Sequence, residues 1–126
     1  MSDITFYTYP SCTSCRKTKA WLKAHNVDVD ERHIFRQPPN EQELRHILTM
    51  TTEGVDEILA KRSQEYRELD MNIEELPLSE LMQLLQEKPR LLRRPILMKD
   101  DQLVIGYNAA ALRAISDKKE HISHVS

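Results

Sequence analysis

The chain has 126 residues, enough to build one hydrophobic core but not two. Its 40% hydrophobic and 30% charged residues exclude extended disorder, and apolar runs of only a few residues are too short to cross a bilayer. Lys and Arg number 18 against 20 Asp and Glu, so the formal charge of −2 lacks the basic field with which a protein holds DNA unaided.

The start, MSDITFYTYP, has neither a basic opening nor a long apolar run, and so does not read as a signal peptide. The expected location is therefore cytoplasmic, where thiols are kept reduced and a cysteine pair serves catalysis, metal binding or sensing more often than stapling. Ile4 to Tyr9 is aromatic and β-branched and predicts a strand, which Pro10 stops. From Thr13 a helical stretch carries Ala20, Trp21, Leu22 and Ala24 and ends near His25-Asn26. Residues 27 to 36 alternate loosely and predict a second strand. The first three elements therefore read β-α-β, a parallel pair joined by a right-handed crossover.

Pro38-Pro39 marks a loop, and Asn40 with Glu43 has the spacing of a capped helix start. Leu44, Ile47 and Leu48 form an apolar stripe that Gly54 interrupts and that Val55, Ile58 and Leu59 resume. A short helix is predicted over Ser63 to Leu69, and an amphipathic one from near Ser79 to Pro89. Residues from about 40 to 88 thus read as a helical block without a strand. Residues 95–98 and 103–105 are short apolar runs separated by Lys99-Asp100-Asp101-Gln102, a hairpin pattern. Asn108 then caps a last helix through Ala111, Leu112 and Ile115. The tail from about 118 to 126 is polar and expected to fray. The fold class is α/β, in one domain spanning 1–126. Met50, Met71, Met82 and Met98, with Trp21, are expected in the core.

The chemistry concentrates at Cys12 and Cys15, the chain's two cysteines, spaced as CxxC between a strand and a helix. A thiol at a helix N-terminus meets unpaired N–H groups and the positive end of the helix dipole, and both favour the thiolate. Arg16 and Lys17 add positive charge, and no acid stands between Asp3 and Asp28. One helical turn separates the two sulfurs, near enough to close a disulfide, with Cys12 the expected attacking thiol and Cys15 the resolving one. Such a dithiol can be a catalyst, a metal clamp or a switch. A zinc site needs four ligands, and His25, His33, His121 and His124 do not repeat a ligand spacing with the cysteines. No cofactor or metal is expected. With two glycines there is no phosphate-cradling loop. Arg90, Arg93 and Arg94 form a basic cluster, and Arg94, before Pro95, would face the cysteines if the hairpin lay beside the first strand.

PSCTSCRKTKAWL at 10–22, MTTEGVDEIL at 50–59, LLRRPILM at 91–98 and VIGYN at 104–108 together resemble the Spx family of regulators, a branch of the arsenate-reductase-like group. The likeness covers all but roughly the last ten residues. It implies a thioredoxin-like fold with a mixed sheet of about four strands and a helical insertion block. It also implies a redox-sensing transcription regulator, not an enzyme, that binds the C-terminal domain of the RNA polymerase α subunit. Promoter DNA would be met only together with polymerase. The resemblance makes Cys12 and Cys15 a thiol/disulfide switch, Arg94 a support of the oxidised form, and Gly54 part of the surface that meets polymerase. Control by the ClpXP protease is implied as well, although the ending HISHVS departs from the family's Leu-Ala-Asn.

The enzyme alternatives are an arsenate reductase and a glutaredoxin-like thiol oxidoreductase. Arsenate reductases of the group hold one catalytic cysteine in a Cys-Gly-Thr-Ser-Arg-Asn loop and use three arginines for the oxyanion. Arg62 and Arg94 match two of these. The third falls at Gly106-Tyr107, and Thr13 replaces the loop glycine. Loss of one cation would weaken the stabilisation of a doubly charged substrate.

Overall fold

Thr5–Thr8 forms β1, whose alternate side chains drive the architecture: Phe6 and Tyr7 are both fully buried, in different clusters on opposite faces of one sheet. The computed structural model describes residues 3–117. Within them β1 pairs in parallel with β2 (Asp30–His33) and antiparallel with β3 (Ile96–Lys99), and β3 continues antiparallel to β4 (Gln102–Ile105). The spatial order β2-β1-β3-β4 makes a mixed sheet of four strands with β1 and β3 inside.

Both faces of the sheet are covered. On the Phe6 face, Leu22 of α1 (Thr13–Ala24) and Leu112 and Ile115 of α5 (Ala109–Ser116) pack with Ile4, Leu97 and Val104. On the Tyr7 face, α2 (Glu41–Thr49) contributes Leu44 and Ile47. The last long helix of the block contributes Leu81, Met82 and Leu85, over Ile34, Leu91, Leu92 and Ile96. That helix is α4 (Leu78–Glu87); between α2 and α4 lie a 3-10 turn at Gly54–Glu57, the four-residue α3 (Gln64–Arg67) and a second 3-10 turn at Ile73–Glu75. The expected α/β fold, with a mixed sheet of four strands, is thus the observed one. The predicted tail, with His121 and His124, lies outside the described residues.

Local chemistry sets the element ends. Asn40 accepts from the Glu43 amide at 2.8 Å while the Glu43 carboxylate accepts from the Asn40 amide at 3.0 Å, a reciprocal cap on α2. Asn108 accepts from the Ala111 amide at 3.0 Å and starts α5. The β3–β4 turn is tighter than the sequence suggests. Lys99 and Gln102 pair, which leaves Asp100 and Asp101 at the turn, with Asp100 at φ 50°. Lys99 is itself buried, its Nζ donating to the carbonyls of Ile115 and Asp117 at the C-terminal end of α5.

Four expectations need correction. The second strand covers only Asp30–His33, not 27–36. Before it, the Val27 amide is held by the Leu22 carbonyl; after it, the amides of Arg36 and Gln37 turn back to the His33 carbonyl. The block at 40–88 also makes one β-bridge, Leu59 to Leu92. Met71 is half exposed, not in the core, at 50% of its surface. Trp21 sits on the rim of the Phe6-side core, stacked on His25 with ring centroids 3.9 Å apart.

Because α2 depends on its reciprocal cap, Asn40→Ala should destabilise the protein by about 1 kcal/mol. Urea denaturation would register this as a lower midpoint with an unchanged slope; an unchanged midpoint would mean that packing alone holds the helix.

Candidate redox site

The site begins where β1 ends. Pro10 follows Tyr9 and stops the strand, and the chain turns so that the Cys12 amide donates to the Tyr9 carbonyl at 3.1 Å. Cys12 is the N-cap of α1 in extended conformation, its Sγ accepting the Cys15 amide at 3.3 Å. One of the orphan donors of the helix start therefore points at this sulfur, and no acid occupies the first turn to oppose it. Cys12 is half-buried, whereas Cys15 is buried at 1% exposure, and both thiols are free.

Cys15 lies on the inward side of α1, where its Sγ accepts the Tyr9 amide at 3.4 Å. Burial, followed by its hydrogen bond with Cys12, pushes the Cys15 thiol up to about 11, against the lowering effect of Thr8 and the Tyr9 amide. The two sulfurs are therefore unlike each other. One borders a solvent cavity and the other is a protonated thiol behind it.

That cavity has a volume of about 540 Å³ and is bordered by Cys12, Lys61, Arg62, Arg93 and Arg94, with Asp56 and Leu59 also in its wall. The positive charge around Cys12 thus comes from the segment after the Gly54 turn and from the approach to β3. Arg16 and Lys17, expected from the sequence to fill this role, are exposed and border no part of the cavity. Arg94 does reach it, because β3 runs antiparallel beside β1 and brings the cis Arg94-Pro95 peptide to the cysteine end of the sheet. Its guanidinium is held by the carbonyls of Arg90 and Leu92 at 3.3 and 3.1 Å and lies 5.2 Å over the Phe35 ring. Arg90 also lies over Phe35, at 4.3 Å.

Arg93 is the residue that sequence reasoning missed. Its Nη1 donates to the Glu57 carbonyl at 3.3 Å, and its Nη2 lies 3.5 Å from where a Cβ on Gly106 would stand. The corner in which the sequence shows Gly106 instead of a third arginine is therefore occupied by a guanidinium from elsewhere. Three arginines border the Cys12 cavity, not two. No arginine stands at Gly106-Tyr107, as expected, and Arg93 is a further cation at the cavity.

Gly54 does not border this cavity; it heads the Gly54–Glu57 turn, with φ +74° and open space where a Cβ would project. The turn is nevertheless next to the cavity. Asp56 borders it and pairs with Lys61 at 2.7 Å, and the Arg93 amide donates to the Ile58 carbonyl at 2.9 Å. No group of three or more metal-ligating side chains is present among the described residues, and no helix among them is long and apolar enough to cross a membrane.

The chain is similar to known proteins. The model of the ArsC family matches residues 7–115. Regulatory protein MgsR of Bacillus subtilis (strain 168) is 60% identical over 117 residues, 93% of each chain. The global transcriptional regulator Spx of the same organism is 45% identical over 116 residues, 92% of this chain and 88% of Spx. Among solved structures, a chain described as a possible arsenate reductase from Streptococcus mutans UA159 superposes with a TM-score of 0.77 at 32% identity, covering 86% of this chain and 93% of that one.

The unequal thiols predict unequal alkylation. At pH 7.5 a group titrating near 11 is ionised to only about 3 parts in 10,000, so iodoacetamide should modify Cys12 and leave Cys15, as peptide mass mapping would read. Labelling of Cys15 in Cys12→Ser should rise about tenfold per pH unit through pH 10. The same shift has a stability counterpart: Cys15 favours the reduced fold fully below its unfolded value of 9.0, and that contribution disappears as pH rises through about 11. Equal labelling of both cysteines at neutral pH would contradict this geometry.

Proposed function

The chain belongs to the ArsC family, within its Spx branch, and on that premise we propose that it is a redox-responsive regulator of transcription, with Cys12 and Cys15 as its switch. The observation that carries the reading is the 60% identity to a protein named a regulator across 93% of both chains. The site is consistent with it. A two-electron oxidation joins the two sulfurs with loss of two protons and two electrons to the oxidant. Cys12 is the thiol the oxidant can reach, and Cys15 is one turn away to displace the oxidised group.

In this reading the protein binds the C-terminal domain of the RNA polymerase α subunit and meets promoter DNA only in that company, in keeping with its net charge of −2. Gly54 lies in the contact surface, Arg94 supports the oxidised form, and the ClpXP protease sets the protein's lifetime. Arg93 provides the physical link between switch and surface, since it borders the Cys12 cavity and holds the last carbonyl of the Gly54–Glu57 turn. Rearrangement at the dithiol can reach the contact surface through one side chain.

A reductase is the second reading, favoured by the three arginines around Cys12 and by the likeness to the Streptococcus mutans protein. It predicts turnover of arsenate or of a small disulfide that Cys12→Ser abolishes. The regulator reading predicts no such turnover. It expects an intact-mass loss of two hydrogens on oxidation, reversed by dithiothreitol and absent in Cys12→Ser and Cys15→Ser.

The contact surface has its own test. Gly54→Arg should weaken retention of the polymerase domain by tenfold or more, on the order of the loss when bulk enters an interface centre. Because φ is +74° at Gly54, any side chain there adds strain, so Gly54→Asn, which tolerates this conformation, is the control and should bind nearly as the parent does. Equal binding by Gly54→Arg would remove Gly54 from the surface.

A further inference from the structure

Arg16, Lys17, Lys19 and Lys23 stand on α1 with no acid among them, and none of them borders the Cys12 cavity. Lys19 is engaged by Glu31 of β2 at 3.2 Å. Among the described residues no carboxylate pairs with Arg16, Lys17 or Lys23, and all three are exposed. Arg113 of the neighbouring α5 joins them. It too is exposed and without an acidic partner among the described residues, and its guanidinium lies 6.0 Å over the ring of Trp21 on α1.

A helix face that meets only water usually intersperses both signs of charge. The α2 helix does so, with Arg45 paired to Glu41 at 2.8 Å one turn away. On α1 the spacing is the reverse. Arg16, Lys19 and Lys23 follow at intervals of three and four residues with like charge, which disfavours the helix until an anion lies along it. Arg16 and Lys23 are about 10 Å apart along the helix axis, roughly three phosphate steps of one DNA strand. The face also lacks what a protein partner would need at the centre of an interface. Among the described residues the large apolar side chains left in solvent are Met71, Leu78 and Tyr107, and none of them belongs to α1 or α5. Phosphate contacts require only the cations.

We propose that the exposed face of α1, completed by Arg113 of α5, lies along the phosphate backbone of duplex DNA, an inference that rests on the reading of the chain as a transcription regulator. The contact adds affinity without sequence preference. A net charge of −2 keeps it too weak to hold DNA unaided at physiological salt. The α1–α5 face covers the Phe6 side of the sheet, whereas the Gly54–Glu57 turn packs on the Tyr7 side through Val55 and Ile58. The DNA contact and the Gly54 surface therefore do not compete for one face.

The test is fluorescence anisotropy of a labelled promoter-length duplex titrated with the full chain over a salt series. At low salt the parent should bind, its affinity falling linearly on logarithmic axes as salt rises. Arg16→Gln, Lys17→Gln and Lys23→Gln combined remove three charges while keeping good helix formers on α1. That variant should bind about tenfold more weakly at low salt, with a salt slope smaller by roughly 3. Arg113→Gln alone should reduce the slope by roughly 1. Arg36→Gln, Arg67→Gln and Lys88→Gln combined reach the same net charge away from α1 and should keep the parent's affinity and slope. Circular dichroism confirms that each variant is folded.

A parent that binds no duplex at low salt, or an α1 variant with the parent's slope, overturns the proposal. An equal loss of slope in the control variant overturns it as well, because net charge alone would then account for binding. Displacement of the duplex by polyglutamate as readily as by unlabelled DNA would give the face to an acidic protein segment. The isolated α C-terminal domain, added at higher salt, reports on the partner separately. If it fails to strengthen the chain's hold on the duplex while the α1 slope stands, the partner reading falls and the phosphate face remains.

Discussion

The pairing of β1 with its two neighbours is the constraint on which the site depends. Tyr7 stands opposite Ile96 in the antiparallel β1–β3 pair, so the end of β1 and the approach to β3 lie at one end of the sheet. The CxxC follows the first and Arg93-Arg94 precedes the second. Residues about eighty positions apart in sequence therefore border one cavity, without a loop having to carry either across the molecule. The Tyr9 amide completes the arrangement by donating to Cys15 Sγ, which ties the buried sulfur to the strand end itself. A slip of the β1–β3 register by one residue would exchange the Phe6 and Tyr7 faces and move the arginines away from the cysteines.

The same pairing explains how a helical block serves a thiol site. The β-bridge from Leu59 to Leu92, with the Ala60 amide on the Leu91 carbonyl and the Arg93 amide on the Ile58 carbonyl, fastens the Gly54 turn to the segment that enters β3. Lys61 and Arg62 are delivered to the cavity on one side of this seam. Leu59 and Asp56 border both the Cys12 cavity and a second groove, between the Gly54–Glu57 turn and the start of α4. The dithiol and the proposed partner surface are therefore two sides of one thin wall, and no long-range relay is required between them.

Much of this was legible in the sequence, for identifiable reasons. The helix caps at Asn40 and Asn108 use side-chain chemistry that acts over three residues, and the β-α-β order follows from local patterning, an aromatic and β-branched run stopped by Pro10 and then a helical apolar stretch. The CxxC is likewise local: two side chains, a strand end and a helix start. What was not legible is long-range. Arg93 reads as one of three clustered arginines, and only the fold separates them. Arg90 goes to the Tyr9 and Phe35 rings, Arg94 to Phe35 and the cavity, and Arg93 to Glu57 and the space at Gly106. Arg16 and Lys17 showed the opposite error, since closeness in sequence to Cys12 did not place them at its cavity. The short second strand failed for a related reason: Val27 and Val29 are apolar because they cover the α1–α5 core, not because they continue the ladder.

The central claim is that the state of the dithiol is felt at the Gly54–Glu57 turn through the shared wall. Amide hydrogen exchange on the reduced and disulfide forms tests this most directly, because the amides of Ile58, Ala60 and Arg93 report the hydrogen bonds that fasten the turn. Disulfide formation is predicted to change the protection of these three amides, while those of α5, on the other face of the sheet, keep theirs. Identical exchange at Ile58, Ala60 and Arg93 in the two forms would contradict the claim and leave the thiol site and the partner surface energetically separate.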